Sequence, residues 1–260
     1  MRSSEKLAVV TGASSGLGEV FARKLAGRYR LLLAARREDR LRALAASLGE
    51  GHEVMAVDLA KEEDLERLAL RLESSTDLEL LINNAGFGTK GLFWETDYGR
   101  QVEMHKLHVM APLRLTRAAL SGMVKRNLGA VINVASIAAF FRSRANVGYC
   151  ATKGWMIDFS EALYLELKSA RSAVKVQALC PGFTYTEFHD TMRVSRDPIP
   201  KSLWMPADFV VEESLRGLER GKLYVIPGWR YKLMVAIGTR LPLGLKLAIQ
   251  ARSPHTRGRT

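Results

Sequence analysis

The sequence predicts an α/β fold, one doubly wound parallel sheet with helices on both faces, and three observations point to it. First, short apolar runs rich in β-forming residues recur at 7–10, 31–34, 53–57, 78–82, 130–134, 174–179 and 223–226. They lack the strict alternation of a sheet with one wet face, so they read as strands buried on both sides. Second, amphipathic segments of helical period separate them, at 19–28, 39–48, 62–73 and 156–168. Right-handed crossovers between such units wind a parallel sheet in both directions. Third, the first strand runs straight into a glycine-rich turn and then a helix. No linker rich in Pro, Gly or Ser divides the chain, so residues 1–228 read as one domain. Residues 229–260 read as a basic, partly apolar helical extension of that domain.

The turn reads Thr11-Gly12-Ala13-Ser14-Ser15-Gly16-Leu17-Gly18. Glycines placed between a buried strand and a helix permit a tight turn and close backbone approach to a pyrophosphate. The helix N-terminus then offers free N–H groups and a favourable dipole. This makes the sheet a Rossmann-type one, although a glycine-rich turn that binds nothing has the same local composition. The second strand bears on the choice of cofactor. Sites for NAD place an acid at its end to meet the ribose hydroxyls. Here the strand ends in Arg36 and Arg37, and the first acids, Glu38 and Asp39, open the next helix. Two guanidiniums suit a 2′-phosphate, so the expected cofactor is NADP(H); a solvated or helix-capping basic pair is the alternative.

Ser136 follows the fifth strand, and Tyr149 and Lys153 stand at i and i+4 of a helical segment. That spacing puts phenol and ammonium on one helix face. Tyrosine, with a pKa of about 10, is a poor proton shuttle at neutral pH unless a neighbouring cation lowers it. Lys153 is expected to approach the phenol and do so, while the Ser136 hydroxyl holds a substrate oxygen.

With these pieces in order, the chain resembles the short-chain dehydrogenase/reductase family, in its compact single-domain form, from about residue 5 to residue 228. The resemblance rests on the 11–18 turn, Asp58-Leu59, Asn83-Asn84-Ala85-Gly86, Ser136, Tyr149 with Lys153, and Pro181-Gly182 with Thr184 and Thr186. It implies a carbonyl–alcohol oxidoreductase; that its carbonyl or alcohol substrate is apolar is suggested separately by the aromatic residues taken up below. It further implies that Gly12, Ser14, Ser15, Gly16, Leu17 and Gly18 hold the pyrophosphate, and that Asp58 and Leu59 hold the adenine. Asn84, Ala85 and Gly86 would line the middle of the cofactor. Pro181, Gly182, Thr184 and Thr186 would meet the nicotinamide amide and leave its B face available. Tyr149 would be the general acid in reduction and the base in oxidation; Lys153 would bind the nicotinamide ribose. The family's long helices, here around 97–126 and 148–170, pair between subunits, which implies a homodimer or homotetramer.

One position departs from the family. His108 stands where the family carries an asparagine that holds a relay water. An imidazole relay would titrate near neutrality and mark the rate between about pH 6 and 8; simple packing of the ring is the alternative. Phe87, Phe93, Trp94, Phe140, Phe141 and Trp204 lie near these motifs and suggest an apolar pocket, or ordinary core. The polar, proline-bearing stretch 184–206 reads as a mobile loop over the site.

Two widely separated cysteines, Cys150 and Cys180, form neither a disulfide framework nor a metal-ligand pattern. With no signal-peptide core and no long apolar span, a cytoplasmic location is expected. The net charge of +12 is uneven, because residues 229–260 hold seven Lys/Arg and no acid. That segment suggests peripheral contact with a membrane surface, with a lid, a subunit contact or a solvated end as the other readings. Nucleic acid is not expected, since no recognition helix or aromatic-basic sheet accompanies the charge. A second class of function, a nucleotide-sensing regulatory or scaffold protein with little turnover, is opposed by the intact Ser136, Tyr149 and Lys153.

Overall fold

The computed structural model describes residues 6–187 and 199–252. Seven parallel strands form one sheet in the order β3-β2-β1-β4-β5-β6-β7. They are β1 (Leu7–Thr11), β2 (Arg30–Ala35), β3 (Glu53–Ala56), β4 (Leu78–Asn83), β5 (Ala130–Val134), β6 (Lys175–Leu179) and β7 (Tyr224–Val225). The helices are α1 (Gly16–Leu25), α2 (Glu38–Leu48), α3 (Glu62–Glu73), α4 (Tyr98–His105), α5 (Ala111–Arg126), α6 (Val147–Ser169), α7 (Ala207–Glu219), α8 (Trp229–Gly238) and α9 (Leu243–Arg252).

Each central strand feeds two cores. Leu7 and Val9 of β1 pack with Leu68, Leu72 and Leu115 on one face of the sheet. Ala8 and Val10 pack with Phe21, Leu25 and Val210 on the other. Side chains alternate across a strand, so a run that is apolar at every position is what a doubly covered sheet requires. The order reverses between β1 and β4, and the crevice beyond the carboxyl ends of strands at such a point is where α/β sheets bind ligands.

Three features differ from the sequence-based expectation. Helix α6 begins at Val147, nine residues before the predicted start at 156. Its first turns bury Gly148, Thr152 and Lys153, so the buried face is not apolar and shows no hydrophobic period there. Between α4 and α5 the chain makes one π-helical turn, Lys106–Met110, with Leu107 and His108 buried. Of the stretch expected as a loop over the site, residues 188–198 lie outside the described residues. Its flanks are anchored: Thr184 pairs with Met205 in a parallel bridge, and Trp204 stacks on Tyr185 at 5.0 Å. No helix among the described residues is long and apolar enough to cross a membrane.

Candidate active site

The loops that follow β1, β4, β5 and β6 meet at the carboxyl edge of the sheet. The first is held by its neighbours on both sides. Gly12 N–H donates to the Ala34 carbonyl at 2.7 Å, and the Asn84 amide donates to the Thr11 carbonyl at 2.9 Å. The buried Thr11 hydroxyl donates to the Ile82 carbonyl and accepts from the N–H groups of Asn84 and Ala85. Gly12 has φ +67°, and a Cβ there would stand 2.9 Å from both Ala85 Cα and the Asn84 amide nitrogen. At Gly18 a Cβ would overlap the Gly12 carbonyl and stand 2.6 Å from that same amide nitrogen. The turn is thus closed tightly on itself at positions where only hydrogen fits. Helix α1 starts at Gly16 with Ser15 extended before it and no side chain capping it. Its first-turn N–H groups have no intrahelical acceptor by construction, which makes the turn a cradle for an anion.

Arg37 lies along that cradle, donating through Nε to Ser14 Oγ at 3.2 Å and through Nη2 to the Ser14 carbonyl at 3.3 Å. Arg36 is exposed and reaches Glu103 of α4 at 3.3 Å. A third guanidinium joins them: Arg40 and Arg37 both bond Glu187, beyond β6. The Glu187 carboxyl is held below the usual range, first by the hydrogen bond from Arg40 and then by that from Arg37. Arg40 was missed by sequence reasoning; its i+3 spacing from Arg37 was the available signal. Leu59 is buried, and Asp58 Oδ1 accepts from the Ala60 N–H at 3.1 Å. The residues present therefore fit a dinucleotide whose pyrophosphate lies on the 12–18 turn, with arginines where its adenosine end would come.

Ser136, Tyr149 and Lys153 are brought together as the sequence predicts. The Ser136 loop is fixed by the Ile137 N–H, which donates to the Pro181 carbonyl at 3.0 Å. Ser136 Oγ accepts from the Ala138 N–H at 3.1 Å and stands close enough to the Tyr149 phenol to oppose the rise in its pKa, and Lys153 lies one turn further along α6. The expected tuning of the phenol is corrected, however. Lys153 Nζ donates to the Val134 carbonyl at 2.7 Å and lies 5.9 Å from the centre of the Tyr149 ring. Burial pushes the Tyr149 phenol up to about 12, against a smaller opposing effect of Ser136. Burial likewise pulls Lys153 down to about 7, with the adjacent Cys180 opposing. Desolvation dominates both groups, and Lys153 is not among the causes that shift the phenol.

His108 is fully buried in the π-helical turn, its ring edge-on to Tyr149 with centroids 5.8 Å apart. Its Nδ1 lies 2.9 Å from Thr152 Oγ1, and that hydroxyl donates to the Tyr149 carbonyl at 3.0 Å. With its proton so used, Thr152 must accept, which fixes His108 as the Nδ1–H tautomer. Nε2 then faces Gly86, where a Cβ would overlap it, and it has no hydrogen-bond partner among the described residues. Burial first, then the charges of Lys153 and His105, lower this imidazole well below 6.5. An imidazole lowered in this way does not support the expected rate inflection between pH 6 and 8 and favours the packing alternative.

A stability effect follows. Below about pH 6.5 the unfolded imidazole takes up a proton that the buried one refuses, so the unfolded state binds more protons and stability falls as pH falls. The slope from this group approaches roughly 1.4 kcal/mol per pH unit. His108→Asn should remove that contribution, giving a melting temperature that declines less between pH 6.5 and 5 than the wild type's. Parallel declines in the two proteins would contradict the neutral, buried assignment.

The aromatics separate into two groups. Phe87 and Trp204 are buried, whereas Phe93 and Trp94 are 55% and 78% exposed and do not belong to the core. Phe140 packs partly buried on Ala139 and Met156, and the Phe141 ring fills the space left at Gly238.

Residues 6–197 match the family described as short chain dehydrogenase. A 3-oxoacyl-(acyl-carrier-protein) reductase of Bos taurus is 31% identical over 185 residues, covering 70% of this chain and 77% of that protein. A short-chain dehydrogenase from Sphingobium yanoikuyae, solved in complex with NADPH, superposes with a TM-score of 0.82 at 29% identity, covering 98% of both chains. A short chain dehydrogenase/reductase from Burkholderia phymatum, solved in complex with NAD, superposes with a TM-score of 0.79 at 26% identity, again over 98% of both. The chain belongs to the short-chain dehydrogenase/reductase family of oxidoreductases.

Proposed function

We propose that this protein is an NADP(H)-dependent oxidoreductase that interconverts a carbonyl and an alcohol on an apolar small molecule, with Tyr149 as general acid/base. The observation that carries the reading is that Ser136, Tyr149 and Lys153 converge at the sheet edge that also holds the glycine cradle. Residues 12–18, 84–86 and 181–186 would hold the cofactor, with Asp58 and Leu59 at its adenine. The bound nicotinamide supplies or accepts the hydride. The chain's own residues manage the proton and the oxygen. Ser136 holds the substrate oxygen by a hydrogen bond, and Tyr149 delivers its phenolic proton to that oxygen. Burial keeps the phenol protonated at neutral pH, so Tyr149 is present in the donor form that reduction needs. The phenolate left by that transfer would be stabilised by the Lys153 ammonium, whose Nζ lies 5.9 Å from the centre of the Tyr149 ring, until a proton from solvent restores the phenol.

The preference for NADP(H) rests on three guanidiniums, Arg36, Arg37 and Arg40, around the end of β2. NADPH should bind at least ~10-fold tighter than NADH, about 1.4 kcal/mol. Fluorescence titration with both cofactors measures this, and equal affinities would remove the assignment. Pairing of copies through α5 and α6 is supported by exposed Met110, Leu113, Val147 and Leu165. Residues 229–260 are read as an extension of the same domain because Tyr231 of α8 is buried against the sheet-edge loops.

A further inference from the structure

Helices α8 and α9 turn their large apolar side chains outward. On α8, Trp229, Leu233 and Ile237 recur every fourth residue, and each is more than half exposed. The opposite side of that helix buries Tyr231 and Val235. On α9, Leu243, Leu245, Leu247 and Ile249 are all more than half exposed. The one charge between 243 and 251, Lys246, is half-buried and lines a cavity of about 210 Å³ with Arg142 and Asp158. A helix with an apolar outer surface and its charge turned inward belongs in contact with an apolar medium.

We propose that the α8–α9 face docks on an anionic lipid bilayer. Charge chooses the occupant. Residues 229–260 contain seven Lys/Arg and no acid. Arg230 lies over the Trp229 ring at 5.1 Å, and neither it nor Arg240 pairs with an acid among the described residues. Lys232 is paired with Glu213 at 3.3 Å. A second copy on this face would bring two such segments together with no negative charge from either, whereas an anionic bilayer supplies both apolar depth and opposite charge. Each helix has ten residues, roughly 15 Å at 1.5 Å per residue, and Pro242 separates them, so they lie on the bilayer and do not cross it. The docked face is also fastened to the rim of the cleft. On the inner side of α8, the Tyr231 hydroxyl accepts from the Phe183 N–H at 3.1 Å and donates to the Leu203 carbonyl at 2.6 Å.

The test is flotation of the full chain with vesicles of phosphatidylcholine alone or with about 30% phosphatidylglycerol. Binding to the anionic vesicles, weakened by salt of about 0.5 M, is expected. The double substitution I237E/L247E, at exposed positions that leave the core alone, should reduce that binding at least ~10-fold. Circular dichroism and the melting temperature check that the variant is folded. No binding to anionic vesicles, or binding that the double substitution leaves unchanged, would overturn the proposal. So would a lower mass of the double variant in sedimentation equilibrium without lipid, which would assign the face to a second copy.

Discussion

Tyr149→Phe is expected to lower kcat by about 10²–10⁴-fold while leaving the dissociation constant for NADPH nearly unchanged. The substitution removes one hydroxyl from a ring that otherwise keeps its packing beside His108. The neighbouring groups are poor substitutes, and Lys153 Nζ is engaged with the Val134 carbonyl. Ser136 is a poor acid, and His108 Nε2 carries no proton in the tautomer its bond to Thr152 imposes. A loss confined to kcat is the mark of an interaction made only in the transition state. Steady-state kinetics with a cofactor titration on the same preparation separates the two quantities. A variant that retains most of the wild-type kcat would show that the proton comes from elsewhere.

Lys153→Ala should act on both quantities. The ammonium is buried, donates to the Val134 carbonyl and lies on the phenol's side of α6. Its removal takes a positive charge from a low-dielectric site and leaves that carbonyl without its donor. A loss on the order of 10²–10³ in kcat/KM is expected, the scale of removing one preorganised donor from such a site. The cofactor dissociation constant should rise with it, since the same group would hold the nicotinamide ribose. The contrast between the variants is informative: Tyr149→Phe changes kcat alone, whereas Lys153→Ala changes binding and turnover together. Unchanged cofactor affinity in Lys153→Ala would confine the lysine to a structural role under β5.

Much of this was legible in the sequence because the relevant physics is local. The β1 run and the 11–18 turn lie within a dozen residues, and the glycines there answer to backbone geometry set by their neighbours. Tyr149 and Lys153 needed only the helical period to be placed together, and the pair of arginines only the end of a strand. What was not legible depends on burial and on contacts distant in sequence. The charge of Lys153 and the proton affinity of Tyr149 are set by desolvation, which no spacing reveals. For His108 a relay titrating near neutrality and simple packing of the ring were both open; its seat between Gly86 and Thr152, partners 22 and 44 residues away, lowers the imidazole well below 6.5 and favours packing. The π-helical turn that carries it has no compositional mark. The start of α6 was missed for a related reason, since a helix that buries Thr152 and Lys153 does not display an apolar stripe. Tyr231 becomes visible only once Phe183 comes round from the far side of the sheet, and the bond to Glu187 gives weight to the spacing of Arg40 from Arg37.

The central claim, reduction of an apolar carbonyl at this cleft with the cofactor's B face forward, is tested most directly by isotope transfer. The protein would be incubated with NADPH carrying deuterium at the pro-S position of C4 and a panel of bulky apolar ketones, and the alcohols analysed by mass spectrometry. The account predicts an alcohol one mass unit heavier with the pro-S label, unlabelled alcohol with the pro-R label, and no alcohol from Tyr149→Phe beyond a trace. Cofactor binding without any alcohol from the panel would contradict it and favour a nucleotide-sensing role for the same fold.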